Sequence, residues 1–177
     1  MHQLILTLIY VVMTKKLLML LLAVIVCLPC FAGAKKKANK DTNRFRYEIE
    51  CAGNGVQGTY LLKVWSFSKK PDIALEQCKK NAVHGVIFKG TTATDGCIPQ
   101  RALAPAPGVE IEYKEFFDYF FRDSGDYLKY VTLTEGTQDI LKVGKEYKVG
   151  IIVTVQKDAL RKALEEAGVI KPLGAGF

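Results

Sequence analysis

GTYLLKVWSFSKKPDIALEQCKKNAVHGVIFK, residues 58–89, is the stretch that decides the fold. Tyr60–Phe67 is an apolar run of strand length in which Tyr60, Leu62 and Val64 point one way and Leu61, Trp65 and Phe67 the other. That pattern predicts a central strand covered in part on both faces. Lys69-Lys70-Pro71 breaks it, and Pro71 suits the first turn of a helix, where no hydrogen bond is lost. Leu75, Cys78 and Ala82 then recur at helical spacing, with Glu76, Gln77, Lys79 and Lys80 on the opposite side. The helix is expected over about 72–83, with Gly85 opening a second short strand through Phe88.

Working outward, Phe45, Tyr47, Ile49 and Cys51 alternate with Arg46, Glu48 and Glu50, the period of a strand with one wet face. Asn54-Gly55 follows, and both residues tolerate positive φ, so this strand is expected to pair antiparallel with 60–67. From Gly90 to Gly108 no period survives, and so long a loop inside a domain is functional or mobile. Tyr113, Phe116, Phe117, Phe120 and Phe121 sit at i, i+3, i+4, i+7 and i+8, which predicts an amphipathic aromatic helix over 111–121; Tyr119 falls off the stripe. A strand is expected over Leu128–Leu133. Gln138–Val143, Gly144-Lys145 and Tyr147–Gln156 are expected as a closing hairpin, with Tyr147, Val149, Ile151, Val153 and Val155 on one face. Asp158 is expected to cap a last helix buried along Leu160, Ala163, Leu164 and Ala167 and ended by Gly168. The sum is an α+β two-layer sandwich: a mostly antiparallel sheet of about five to six strands with helices on one face.

Residues 1–34 have the pattern of an export signal. Lys15-Lys16 precedes an uncharged run, Leu17–Phe31, and Ala32-Gly33-Ala34 supplies the small residues of a cleavage site. The run is short of the ~20 apolar residues of a spanning helix, which makes a retained anchor the second choice. Residues 1–12 put an apolar piece before the lysines, so the expected start is Met13. Residues 35–44 form a basic tail, Lys35, Lys36, Lys37, Lys40 and Arg44 against Asp41, suited to a linker or to peripheral contact with membrane or polysaccharide. Residues 45–177 are nearly neutral and of the length of one domain. Export and a neutral body argue against nucleic acid as a partner.

Chemistry is sparse. His84 is the one histidine after the signal segment, and Ser66, Ser68 and Ser124 lack the glycine-flanked elbow of a hydrolase. Cys97 with His84 could form a nucleophilic dyad, and Glu110 with Glu112 a glycosidase-like pair. Glu48 with Glu50 and Glu165 with Glu166 are ordinary wet-face carboxylates. Cys51, Cys78 and Cys97 allow at most one disulfide; Cys51 and Cys78 lie on apolar faces, and Cys97 is the most reachable. The spacing of these cysteines with one histidine matches no metal pattern, and no phosphate, dinucleotide or calcium motif is present, so no cofactor is expected.

The Tyr60–Phe88 unit and the closing YKVGIIVTVQ followed by KDALRKALEEAG, residues 147–168, resemble exported α+β domains of the flagellar assembly factor T amino-terminal and TolB amino-terminal type. The lysine-led signal is similar to those of secreted Bacteroidota proteins of unknown role. The resemblance implies a periplasmic or outer-membrane-peripheral domain that binds other envelope proteins without catalysis. The expected interaction surface comprises Cys97, Arg101, Tyr113, Phe116, Phe117, Tyr119 and Phe120, beside an exposed strand edge. A second expectation is a binding module for a small apolar ligand between the aromatic helix and the 90–108 loop, and a third is a hydrolase.

Overall fold

The computed structural model describes Lys15 and residues 45–92, 97–134, 136 and 138–174. Apart from Lys15, the export signal, with the Met13 start, and the basic tail lie outside the described residues. The chain divides into two compact units, Met1–Ala34 and Lys35–Phe177. Among the described residues no helix is long and apolar enough to cross a membrane.

The second unit is an α+β fold: an open antiparallel sheet of five strands with helices packed against it. Strand β1 is Tyr47–Gly53, β2 Tyr60–Ser68, β3 Val131–Leu133, β4 Asp139–Val143 and β5 Glu146–Val155. The order is β1-β2-β5-β3, and β4 also pairs with β5. As the alternation predicts, β2 is central, bonded to β1 through Tyr47↔Ser66 and to β5 through Tyr60↔Val155 to Ser68↔Tyr147. Strands β3 and β4 lie end to end along the other edge of β5. Leu133 pairs with Val153 and Asp139 with Gly150, and the Thr134 N–H donates to the Ile152 carbonyl.

Helix α1 runs Pro71–Phe88 on the inner face of β2 and β5, with Pro71 in its first turn. Leu62, Val64, Val149, Ile151, Val153 and Val155 meet Ala74, Cys78, Ala82 and Val86, all fully or almost fully buried. Each such large aliphatic side chain contributes about 1.5–3 kcal/mol. Small residues on this side let the helix approach closely, and the Cys78 thiol reaches the carbonyls of Val64 and Val149 at 3.4 Å.

Two sequence expectations fail here. Gly85 opens no strand; α1 continues through it because a Cβ there would stand 2.6 Å from Ile49 Cδ1 and 3.4 Å from Tyr47. The glycine is a notch for β1 side chains, worth the roughly 1 kcal/mol that glycine costs a helix. The helix ends instead at Gly90, with φ +71°. Nor is the opposite face wet: Gln77 and Lys80 are buried, with Asn81 and His84 beside them, and Leu75 is only half-buried. The segment from Leu103 to Tyr130 closes over Lys80 and His84. Leu103 and Ala104 donate to the carbonyls of Val86 and Ile87, and Phe117, Phe121 and Tyr127 pack on Phe88, His84 and Lys80.

The predicted aromatic helix is two short ones, α2 Val109–Glu112 and α3 Lys114–Phe120, separated at Tyr113, whose ψ of 33° breaks the ladder. The break leaves Ile111 exposed while Phe117 and Phe120 are buried. Leu128–Tyr130 belongs to a 3-10 turn, Asp126–Tyr130, and only Val131–Leu133 is strand. Helix α4, Lys157–Glu166, begins directly after Gln156, so Asp158 lies inside its first turn and not at the cap, and no side chain caps it. Leu160 and Leu164 are buried, whereas Ala163 is half-buried and Ala167 exposed. Its other end is as expected: Gly168, φ +71°, donates to Glu165 and Val169 to Leu164, a Schellman ending.

The outer face of the sheet is covered by its own long side chains. The ammonium groups of Lys63 and Lys148 lie 4.6 and 4.9 Å from the Trp65 ring and pair with Asp139 and Glu48. Gly150 leaves room for the indole, since a Cβ there would fall 2.5 Å from it.

Candidate functional site

The residues expected as an interaction surface do not form one patch. Phe117 and Phe120 are core, and Tyr113 and Phe116 are half-buried against it. Arg101 and Tyr119 are exposed, Tyr119 beneath the Arg122 guanidinium at 3.6 Å. Cys97 is bonded to Cys51, 46 residues earlier, with 6.2 Å between their Cα atoms. Cys51, read as a buried thiol, is thus half of the disulfide, and Cys97 is not a free nucleophile; among the described residues the free thiol is that of buried Cys78, which burial pushes up to about 11.

The disulfide brings together two segments that the sequence keeps apart. It ties the 97–100 part of the long loop to the end of β1, where the register slips between Cys51 and Gly53. Thr91 and Gln100 bridge through both backbone bonds, and the Tyr60 hydroxyl donates to Gln100 Oε1 at 2.8 Å. Gly90 permits the crossing, as its Cβ would stand 2.2 Å from the Gln100 carbonyl. Between the loop and the β1–β2 connection lies a cleft of about 200 Å³, lined by residues 53–62 with Cys51, Thr91, Ile98 and Gln100. Two large apolar side chains among its lining stand in water, Val56 at 80% and Ile98 at 74% exposure. The Thr91 hydroxyl oxygen is buried with no hydrogen-bond partner. Small-molecule pockets usually measure about 300–1,000 Å³, so the cleft fits one or two side chains better than a whole ligand.

A second cluster surrounds His84. Its ring stacks on Phe45 at 3.5 Å and packs against Phe88 and Phe121. The Tyr47 hydroxyl stands 2.7 Å from Nδ1, and Glu110 Oε1 lies 3.4 Å from Nε2. Burial, aided by the nearby Lys89 ammonium, pulls the imidazole down to about 3, so it is neutral. We assign the Tyr47 hydroxyl as donor to Nδ1, since burial and the Glu110 charge disfavour the phenolate; this leaves the Nε2 proton facing Glu110. The Glu110 contact is then a weak polar approach and not an ion pair, in keeping with the absence of a hydrogen-bond partner for Nε2. Burial also raises the Glu110 carboxyl. Among the described residues neither of the nucleophiles considered for His84 joins this cluster: Ser66 sits under Asn81 Nδ2 at 2.7 Å on the sheet, and Cys97 is in the disulfide. Glu112 is exposed. Among the described residues no three His, Cys, Asp or Glu side chains are placed to hold a metal ion.

Sequence reasoning missed Val56 and Ile98, which have no periodic partners, and missed the cleft because it depends on which two cysteines join. The available signal was an odd set of three cysteines, one of them in the long loop. Comparison of the chain with protein-family models, with curated proteins and with solved structures finds no match.

Proposed function

We propose that the chain is a non-catalytic, exported module of the cell envelope that binds another envelope protein, taking apolar side chains of that partner in the cleft between residues 53–62 and the 91–100 loop. The observation that carries this reading is the pair of exposed apolar side chains at the cleft, Val56 on the β1–β2 connection and Ile98 on the disulfide-tied loop. A loop fixed in this way has little freedom left to lose on binding, so the apolar area covered goes into affinity instead of into ordering the loop. Burying one such side chain fully contributes about 1.5–3 kcal/mol. The backbone groups of the 53–59 connection line the same cleft and supply polar contacts around that apolar pair.

The test is co-purification from an envelope fraction. A specific envelope protein is expected to accompany the wild-type chain, to be lost with Val56→Asp and with Ile98→Asp, and to remain with Tyr119→Ala, while all three variants melt like wild type. Full retention with both aspartate variants contradicts the cleft as the site. A small apolar ligand is the second reading, favoured by the same cleft; its size argues for a peptide side chain, and a ligand that raises the melting temperature without any protein partner would reverse that preference.

A further inference from the structure

Asn54-Gly55 has the sequence of a tight turn, yet the fold does not use it as one. Neither residue has a positive φ; the connection turns at residues 56–59, where the Thr59 N–H donates to the Val56 carbonyl at 2.9 Å and Gly58 has φ +80°. Asn54 and Gly55 are exposed and lie in neither helix nor strand. Among the described residues no hydrogen bond holds the Asn54 side chain or the Gly55 N–H. The pair is the chain's one Asn-Gly sequence. Gly55 is fixed by its surroundings, since a Cβ there would stand 2.6 Å from Thr59 Oγ1 and 3.1 Å from the Thr59 carbonyl oxygen. Both residues line the cleft, and no charged side chain is among the residues that line it with them.

We propose that Asn54 is a modification site: its amide is lost by attack of the Gly55 nitrogen, and the carboxylate left behind puts a negative charge into an uncharged cleft. The Gly55 nitrogen gives up its proton and bonds to Asn54 Cγ, the Cγ–Nδ2 bond breaks, and ammonia carries off the side-chain nitrogen with that proton. Water then opens the cyclic imide at either carbonyl, leaving aspartate or isoaspartate, and no oxidant or cofactor is consumed. Asparagine is a thermolabile residue, and the attack is intramolecular. Glycine has no side chain to shield its nitrogen, and an exposed segment outside strand and helix has the freedom to close the ring. Asn81 has none of these features: it is 2% exposed, lies inside α1, bonds Ser66 Oγ through Nδ2 at 2.7 Å and precedes Ala82. On the function proposed above, on which this consequence alone rests, an apolar side chain entering the cleft would have to strip water from the new carboxylate, so modification closes the cleft to its partner.

The test is to keep the freshly prepared full chain in neutral buffer at physiological temperature, sample it over days, and digest each sample in acid for peptide mass spectrometry. The Asn54 peptide is expected to pass from amide to aspartate and isoaspartate, while the Asn81 peptide keeps its amide. Asn54→Gln, whose longer side chain has to close a larger ring, is expected to keep its amide as well. An Asn54 that persists as long as Asn81 overturns the proposal. Asn54→Asp, melting like wild type, is expected to co-purify at least about tenfold less of the envelope protein that fresh wild type captures. Full capture by Asn54→Asp overturns the closing of the cleft and leaves the modification standing. Capture of no envelope protein by fresh wild type overturns the function proposed above, and the closing with it, without touching the chemistry at Asn54.

Discussion

Replacing His84 with glutamine removes a buried base that the fold holds neutral, and the effect is legible in how stability varies with pH. The imidazole titrates near 6.5 when unfolded and at about 3 in the fold, because burial and Lys89 oppose its charging. Below pH 6.5 the unfolded chain takes up a proton that the folded chain refuses. The contribution of neutral His84 is therefore fully present above pH 6.5 and is lost as pH falls towards 3. At about 1.4 kcal/mol per unit, two units of descent to pH 4.5 cost about 3 kcal/mol, or roughly 10 °C in melting temperature for a domain of this size. Of the groups facing the ring, Tyr47 stays protonated, and Lys89 remains charged throughout this acidic window. Glu110, raised by burial, acts in the opposite sense, since its cost is relieved as it takes up a proton, and it sets a background common to both proteins. Lys80, pulled down to about 8, is already charged across this window and adds no slope. The assay is urea unfolding of wild type and His84→Gln at pH 7.5 and 4.5. Wild type should lose about 3 kcal/mol more than the variant over that interval. Equal losses would refute the burial of a neutral imidazole at this site.

Two further outcomes follow from the same packing. Reducing the Cys51–Cys97 bond frees a loop closed over 46 residues, a loss of about 4 kcal/mol by chain entropy, so the melting temperature should fall sharply with a reductant and stay unchanged by it in a Cys51→Ser, Cys97→Ser double variant. Gly150→Ala forces a Cβ to within 2.5 Å of the indole of Trp65, and because Trp65 is the chain's one tryptophan, a shifted emission maximum together with a loss of about 1–3 kcal/mol should report the displaced ring.

What was legible in the sequence was local and periodic. The two alternating runs predicted the β1–β2 pairing, although the turn closes at Val56–Thr59 with positive φ at Gly58 and at neither Asn54 nor Gly55, and the alternation from Tyr147 to Val155 predicted β5 with its buried side. What was not legible depended on residues distant in sequence. Gly85 reads as a break because a glycine costs a helix about 1 kcal/mol, and its reason for being there is the approach of Tyr47 and Ile49, almost forty residues earlier. Gln77 and Lys80 read as lying away from the sheet by polarity, yet both are buried, Lys80 because Tyr127 of the returning Leu103–Tyr130 segment lies over it. The aromatic stripe read as one helix, since spacing alone does not reveal the break at Tyr113. The cleft was out of reach for the same kind of reason: Val56 and Ile98 come to line one cleft through the joining of Cys51 and Cys97.

The claim that matters most is that partner recognition occurs at the disulfide-tied cleft. It is tested most directly by placing a photo-crosslinking amino acid at position 98 in one chain and at position 119 in another, and irradiating each in an envelope preparation. The expected result is one dominant crosslinked envelope protein from position 98 and none from 119, with the 98 product abolished by reducing the disulfide. A crosslink from 119 alone, or one from 98 that survives Val56→Asp and reduction undiminished, would place recognition elsewhere on the molecule.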